Sequence, residues 1–167
     1  MKRYIFILSG LLISISILAQ KNEVNMLVKS KSQFSVDETV KRIEANLKEK
    51  EIQVFALFDH SQNAKDSGME LLPNQVIVFG SPKVGTLLMQ QNPEVSIELP
   101  LKISVWQDKD GHVWTAFISM KSIADRYDLG DSPIVTNIQN LLASIVEQAT
   151  TEKGDCPAWT ITFPFTK

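Results

Sequence analysis

Few side chains in this sequence are of the kinds that do chemistry, and they are scattered. There are two histidines, His60 and His112, and a single cysteine, Cys156. His60 follows directly on an apolar run at 54–58, where a loop held by a strand can aim a side chain into a cleft. An imidazole there can titrate near neutral pH or hold a ligand, and Asp59 or Asp66 could assist it as an acid or base. A second candidate is the turn Gly80-Ser81-Pro82 with Lys83, at the start of a short helix. Ser81 is placed to cap that helix and Pro82 suits its first position. Free amides at a helix start attract anions, and Lys83 adds positive charge. Together His60, Gly80, Ser81 and Lys83 form an expected ligand site for a small anionic group. Both segments follow apolar strands, so both are expected at strand ends. A plainer role competes for each residue: His60 ordering its own loop, and Lys83 simply solvated.

Other chemistries find little support. Gly80 and Gly85 lack the spacing and the Lys-Ser/Thr ending of a phosphate loop. One cysteine and two histidines cannot close a structural zinc site without carboxylates. No metal and no cofactor is expected. Cys156 has no intramolecular disulfide partner, so it is either a free thiol or a bridge between chains. The formal net charge of -2 gives no electrostatic footprint for nucleic acid and no basic patch for anionic membranes.

The elements that position these residues follow from pattern. Met1-Lys2-Arg3 and the apolar stretch 4–19 read as a secretory signal peptide over residues 1–20, which implies export to the periplasm or beyond the cell, with an uncleaved N-terminal anchor as the alternative. Ser35 and Glu38 fit a capping box, and Val36, Val40, Ile43 and Leu47 mark one face of an amphipathic helix. The runs 54–58 and 76–79 are continuous and apolar, so both are expected as buried strands. Residues 60–68 read as a polar loop, and 69–72 as a strap or short helix. Gly80 is expected to adopt a backbone shape denied to other residues. Val84, Leu87 and Leu88 give the short helix after Pro82 an apolar face, stopped by Asn92-Pro93.

Alternation at 101–106 and 113–118, around the turn signal Asp108-Lys109-Asp110-Gly111, predicts a hairpin. Its second strand is apolar on both sides and is expected to be covered on both faces. Trp106 and Trp114 are placed to pair across the two strands. A long helix with Ile134, Ile138, Leu141, Leu142, Ile145 and Ala149 on one face follows Ser132-Pro133. In the extension 150–167, residues 160–163 alternate and could add an edge strand. The fold class is α+β: a mainly antiparallel sheet with helices packed on one face, in the order β-α-β-β-α-β-β-α.

The segments FGSPKVGTLLM, LPLKISVW and DKDG, with DHSQNA upstream, resemble the DUF302 family of small α+β domains. The likeness covers roughly residues 28–149. It implies the fold, a homodimer and no established activity. Ser81 departs from the family pattern, which more often carries Asn there. The two-sided hairpin at 101–118 is the surface expected to form the dimer. Three function classes follow: a non-enzymatic module binding a small ligand or a protein, an enzyme built on His60 with nearby carboxylates, and a structural homodimer. The first is favoured, and the balance is against an enzyme.

Overall fold

The computed structural model describes residues 26–152. The expected signal peptide, Cys156 and the expected edge strand at 160–163 lie outside the described residues. Five strands form one sheet: β1 (Leu27–Ser32), β2 (Gln53–Asp59), β3 (Asn74–Gly80), β4 (Leu101–Gln107) and β5 (Val113–Ile118). Five α-helices accompany them: α1 (Val36–Glu49), α2 (His60–Asp66), α3 (Pro82–Gln91), α4 (Met120–Arg126) and α5 (Pro133–Thr150). A 3-10 turn, Pro93–Glu98, links α3 to β4. The strand order is β1-β5-β4-β3-β2, and every neighbouring pair is antiparallel. This is the expected α+β class.

One face of the sheet meets the apolar stripes of α1 and α5. Ile77, Phe79, Ile103, Val105, Thr115 and Phe117 point from the strands into this layer and are buried. Val40, Ile43 and Leu47 of α1 and Ile138, Leu142 and Ile145 of α5 meet them. The pattern that predicted α1 also predicted the face it buries, whereas on α5 Val135 and Val146 are buried and the expected Ile134 and Leu141 are only half-buried. Ser35 caps α1 by accepting the Glu38 amide at 3.2 Å. Two buried hydroxyls under α1 satisfy each other, Ser32 and Thr39 at 2.7 Å, so no polar group is stranded there.

The other face carries Val76, Val78, Ser104, Trp106, Trp114 and Ile118, all half-buried. Trp106 stands directly opposite Trp114, as expected for the hairpin. The Lys29 ammonium lies 5.9 Å from the Trp106 ring centre, and the Trp114 indole donates to Asp108 at 2.7 Å. Among the described residues, neighbouring side chains half-bury the second face of β5.

Three local expectations need correction. The loop expected at 60–68 contains the helix α2, which buries none of its residues. Its helicity comes from its cap, not from an apolar stripe: the Asp59 carboxylate accepts from the Gln62 amide at 2.9 Å. Residues 69–72 form neither strand nor helix, and Met69, Leu71 and Leu72 are exposed. The strand at 54–58 was expected in the interior. It lies instead at the edge of the sheet, with Val54, Phe55, Leu57 and Phe58 all exposed.

Candidate functional site

The register of β2 and β3 decides what the expected site residues can do together. Asp59 pairs with Gln75 and Gln53 pairs with Gly80. His60, just beyond Asp59, and the Gly80 turn are therefore at opposite ends of the same strand pair. At about 3.3 Å per residue the two ends are roughly 20 Å apart. The expected joint site of His60, Gly80, Ser81 and Lys83 does not assemble.

At the His60 end, the imidazole is exposed at the first position of α2. Among the described residues neither Asp59 nor Asp66 shares a hydrogen bond with it. The Asp59 carboxylate accepts from the Ser61 hydroxyl at 2.5 Å, and the Gln75 amide donates to Asp59 at 3.4 Å and to Asp37 at 2.8 Å. Asp66 accepts from the Gln62 side chain at 2.7 Å. These carboxylates hold the turn together. A cavity of about 270 Å³ lies beside them, lined by Asp37, Asp59, Ser61 and Gln75 among others, with His60 outside it. The Ser61 hydroxyl, then the Gln62 amide, hold the Asp59 carboxyl below the usual carboxylate value, with His60 adding a little through its charge.

A group whose folded value is depressed adds stability above its unfolded value, near 3.9, and that contribution is lost as pH falls through the folded value. Unfolding free energy should therefore drop less steeply for Asp59→Asn than for the native chain as pH falls from about 5 through this range. Urea titrations across that range would check it, and parallel slopes would count against the role assigned to Asp59.

The Gly80 end is built differently. The turn from β3 into α3, the 3-10 turn, the start of β4 and the first half of α5 enclose two adjoining cavities of about 320 and 260 Å³. Both are bordered by Gly80, Ser81, Val84, Leu101 and Ile138. Phe55, Leu88, Leu99 and Pro100 complete the first, and Ile52, Phe79, Ile134 and Leu141 the second. Apart from Ser81, Ser96 and Asn137, the bordering side chains are apolar or glycine. The site thus retains Gly80 and Ser81 and leaves out Lys83, which is exposed on the first turn of α3.

Two expected roles change with this geometry. Gly80 has no left-handed backbone angle, and a Cβ there would meet the Phe55 ring at 3.5 Å and Pro100 at 3.9 Å, which are ordinary contacts. Its conformation is open to other residues. Ser81 stands at the cap position, but its hydroxyl makes no capping hydrogen bond. The residues that reading the sequence missed are Leu99, Leu101, Ile134 and Ile138. Their only sequence signal is apolarity, which served equally well to place them in the core.

The hairpin turn brings Asp108, Asp110 and His112 together, with one ligand-type atom from each within 4.8 Å of the others. The Asp108 carboxylate already accepts from the amides of Asp110 and His112 at 3.0 and 2.9 Å, and from the Trp114 indole. Its arrangement is accounted for by closing the turn.

A family described as "Domain of unknown function DUF302" matches residues 28–149. A solved structure of an uncharacterized conserved DUF302 protein from Bacillus stearothermophilus superposes with a TM-score of 0.64, at 19% identity, covering 74% of this chain and 98% of that one. At that identity the likeness concerns the fold. Among curated proteins, the fluoride-specific ion channel FluC 1 of Brucella suis biovar 1 (strain 1330) is 38% identical over 104 residues. A protein of the same name from Brucella abortus biovar 1 (strain 9-941) matches equally, at 38% over 104 residues. The match takes in 62% of this chain but 41% and 38% of those proteins, so the chain spans about two-fifths of their length.

Proposed function

The chain belongs to the DUF302 family, and from that premise we propose that its domain is an exported, non-enzymatic binding module taking a small, largely apolar ligand beside α3. The observation that supports this most is the pair of adjoining apolar cavities bordered by Gly80, Ser81 and Val84. Ligand sites are commonly concave, mostly apolar, and supplied with a few polar groups that fix orientation. Here Ser81, Ser96 and Asn137 are those groups. The anionic group expected from the sequence is kept as the polar end of such a ligand. The first free amides of α3 favour negative charge at the mouth of the cleft. The ligand is thus an amphiphile with an apolar body and an acidic end.

Export rests on the basic start and apolar stretch of residues 1–20. A homodimer is part of the same proposal. The name of the Brucella proteins suggests a further setting. No helix among the described residues is long and apolar enough to cross a membrane. The role proposed here rests on the cavities and not on the fluoride conduction in that name.

Val84 borders both cavities and is only partly buried, so a larger side chain can enter the cleft from its rim. Val84→Trp should abolish binding of a dansyl-labelled long-chain fatty acid while shifting the melting temperature of the free protein by only a few degrees. The native chain should melt higher with the probe present, because a ligand held by the folded state stabilises it. Absence of binding to the native chain, or equal binding to Val84→Trp, would overturn the reading.

A further inference from the structure

Strand β2 has a character that does not match its position. It is the last strand of the sheet and pairs on one side only, with β3. Its segment Gln53 to Phe58 carries no charge and no proline. Val54, Phe55, Leu57 and Phe58 are 36–47% exposed, and they lie on both faces of the strand. Met69, Leu71 and Leu72, in the connection returning to β3, are also 46–67% exposed.

The opposite edge of the sheet shows what a protected edge looks like. On β1, Lys29 and Lys31 alternate with Val28, Ser30 and Ser32, and inserted lysines are a common device against edge pairing. On β2 the only such device is a one-residue bulge between Val54 and Ala56, on the ladder to β3. A long, uncharged, apolar edge is a template for another strand.

We propose that β2 is the homodimer interface, pairing antiparallel with β2 of a second copy so that two five-stranded sheets become continuous. The sequence of the strand is what selects a second copy as the occupant. A two-fold axis at Ala56 sets Phe55 against Leu57 and Val54 against Phe58. It also sets the Gln53 amide, a donor, against the Asp59 carboxylate, an acceptor. Moving the axis to Leu57 would instead place Asp59 against Phe55. Any two-fold axis makes the contacts reciprocal, and the register centred on Ala56 matches its pairs better than the one centred on Leu57.

The area is of the right order as well. The exposed parts of the four large apolar side chains on β2 amount to roughly 300 Å² per protomer, judged from about 150–250 Å² for a whole aromatic side chain. Backbone and rim atoms bring this toward the ~800 Å² per partner of stable interfaces. The hairpin face is the weaker candidate, because Trp106 and Trp114 are half-buried and already engaged by Lys29 and Asp108.

Leu57→Lys tests the proposal, measured by light scattering on the exported chain carrying Cys156→Ser, so that no disulfide contributes. The parent should have dimer mass at micromolar concentration. Leu57→Lys should have monomer mass, with dimerisation weakened at least about a hundred-fold and an unchanged far-ultraviolet circular dichroism spectrum. A monomeric parent, or a Leu57→Lys variant that remains dimeric, overturns the proposal. Should that variant fail to fold, Ala56→Cys in the same background decides. A residue on the two-fold axis should cross-link to its own copy under mild oxidation, as the close Cβ atoms of opposed strand residues allow. Cross-linking through Trp114→Cys and not through Ala56→Cys would place the interface on the hairpin face and also overturn it. Phe55 borders the apolar cleft too, yet the two readings separate cleanly, one by ligand binding and the other by mass.

Discussion

Replacing Phe79 with alanine should cost about 3–5 kcal/mol of stability, the range for removing a fully buried aromatic ring. For a domain of this size that corresponds to a melting temperature lower by roughly 10–15 °C. Phe79 is 0% exposed and pairs with Val54 on one side and Leu101 on the other. Its side chain also borders the smaller of the two apolar cavities. Truncation therefore enlarges a void that already exists instead of opening one in close-packed core. Neighbours that already face empty space have little to collapse onto, so the loss belongs toward the upper part of the range. Urea denaturation of Phe79→Ala and of Leu57→Ala makes the comparison. Leu57 pairs with Ile77 on the same strand pair but is 44% exposed, and its truncation should cost under about 1 kcal/mol in the monomer. A loss below about 1.5 kcal/mol for Phe79→Ala would mean that α5 closes over the gap.

What the sequence made legible is what local periodicity encodes. Helix α1 showed itself through Val36, Val40, Ile43 and Leu47, because a 3.6-residue period aligns them on one face, and all four are buried. The hairpin showed itself through alternation and its Asp-Gly turn, and Gly111 has the positive backbone angle, φ 81°, that such a turn asks for. Helix α2 left no such trace. It buries nothing, so no apolar stripe was selected, and its capping by Asp59 looks the same in sequence as a polar loop. The position of β2 was hidden for another reason. A run of apolar residues says that a strand wants cover, but strand order is set by long-range pairing that the run does not contain. The same composition describes an interior strand and an edge strand awaiting a partner.

The candidate site was half legible, and the missing half is geometric. His60 and Gly80 each follow an apolar strand, which suggested a shared end of the sheet. In a parallel pair that inference would have held, because both strands would run the same way. In an antiparallel pair the ends of successive strands point in opposite directions, and β2 and β3 are antiparallel. Chain direction thus separates the imidazole from the α3 turn. The cleft that does form at that turn is completed by Leu99 and Leu101 and by Ile134 and Ile138, residues far along the chain. Nothing local to 80–84 announces them.

Arg42 ties α1 to the end of α5, and its loss should disturb the helical layer. Its guanidinium donates to the carbonyl of Ala149 at 3.1 Å, of Gln148 at 3.1 Å and of Thr151 at 2.8 Å. It also stacks 4.0 Å from the centre of the Phe34 ring. Helix α1 thereby places a cation on the last carbonyls of α5, where the helix dipole is negative and the carbonyls lack partners of their own. The planar fork suits this better than an ammonium, because it reaches three acceptors while its face rests on the aromatic ring. Hydrogen bonds to a charged group contribute about 1.5–3 kcal/mol, and Arg42 is only half-buried, so the expected cost of Arg42→Ala is about 2–3 kcal/mol. The melting temperature should fall by roughly 6–10 °C. Arg42→Lys should recover less than half of this, keeping the charge but losing the fork and the stack. Hydrogen exchange should locate the change in the last turn of α5, at the amides of 148–151, before the rest of the helix is affected. Equal stability of Arg42→Lys and the native chain would show that charge alone suffices. Arg42→Ala melting within about 2 °C of the native chain would show that α5 ends securely without it.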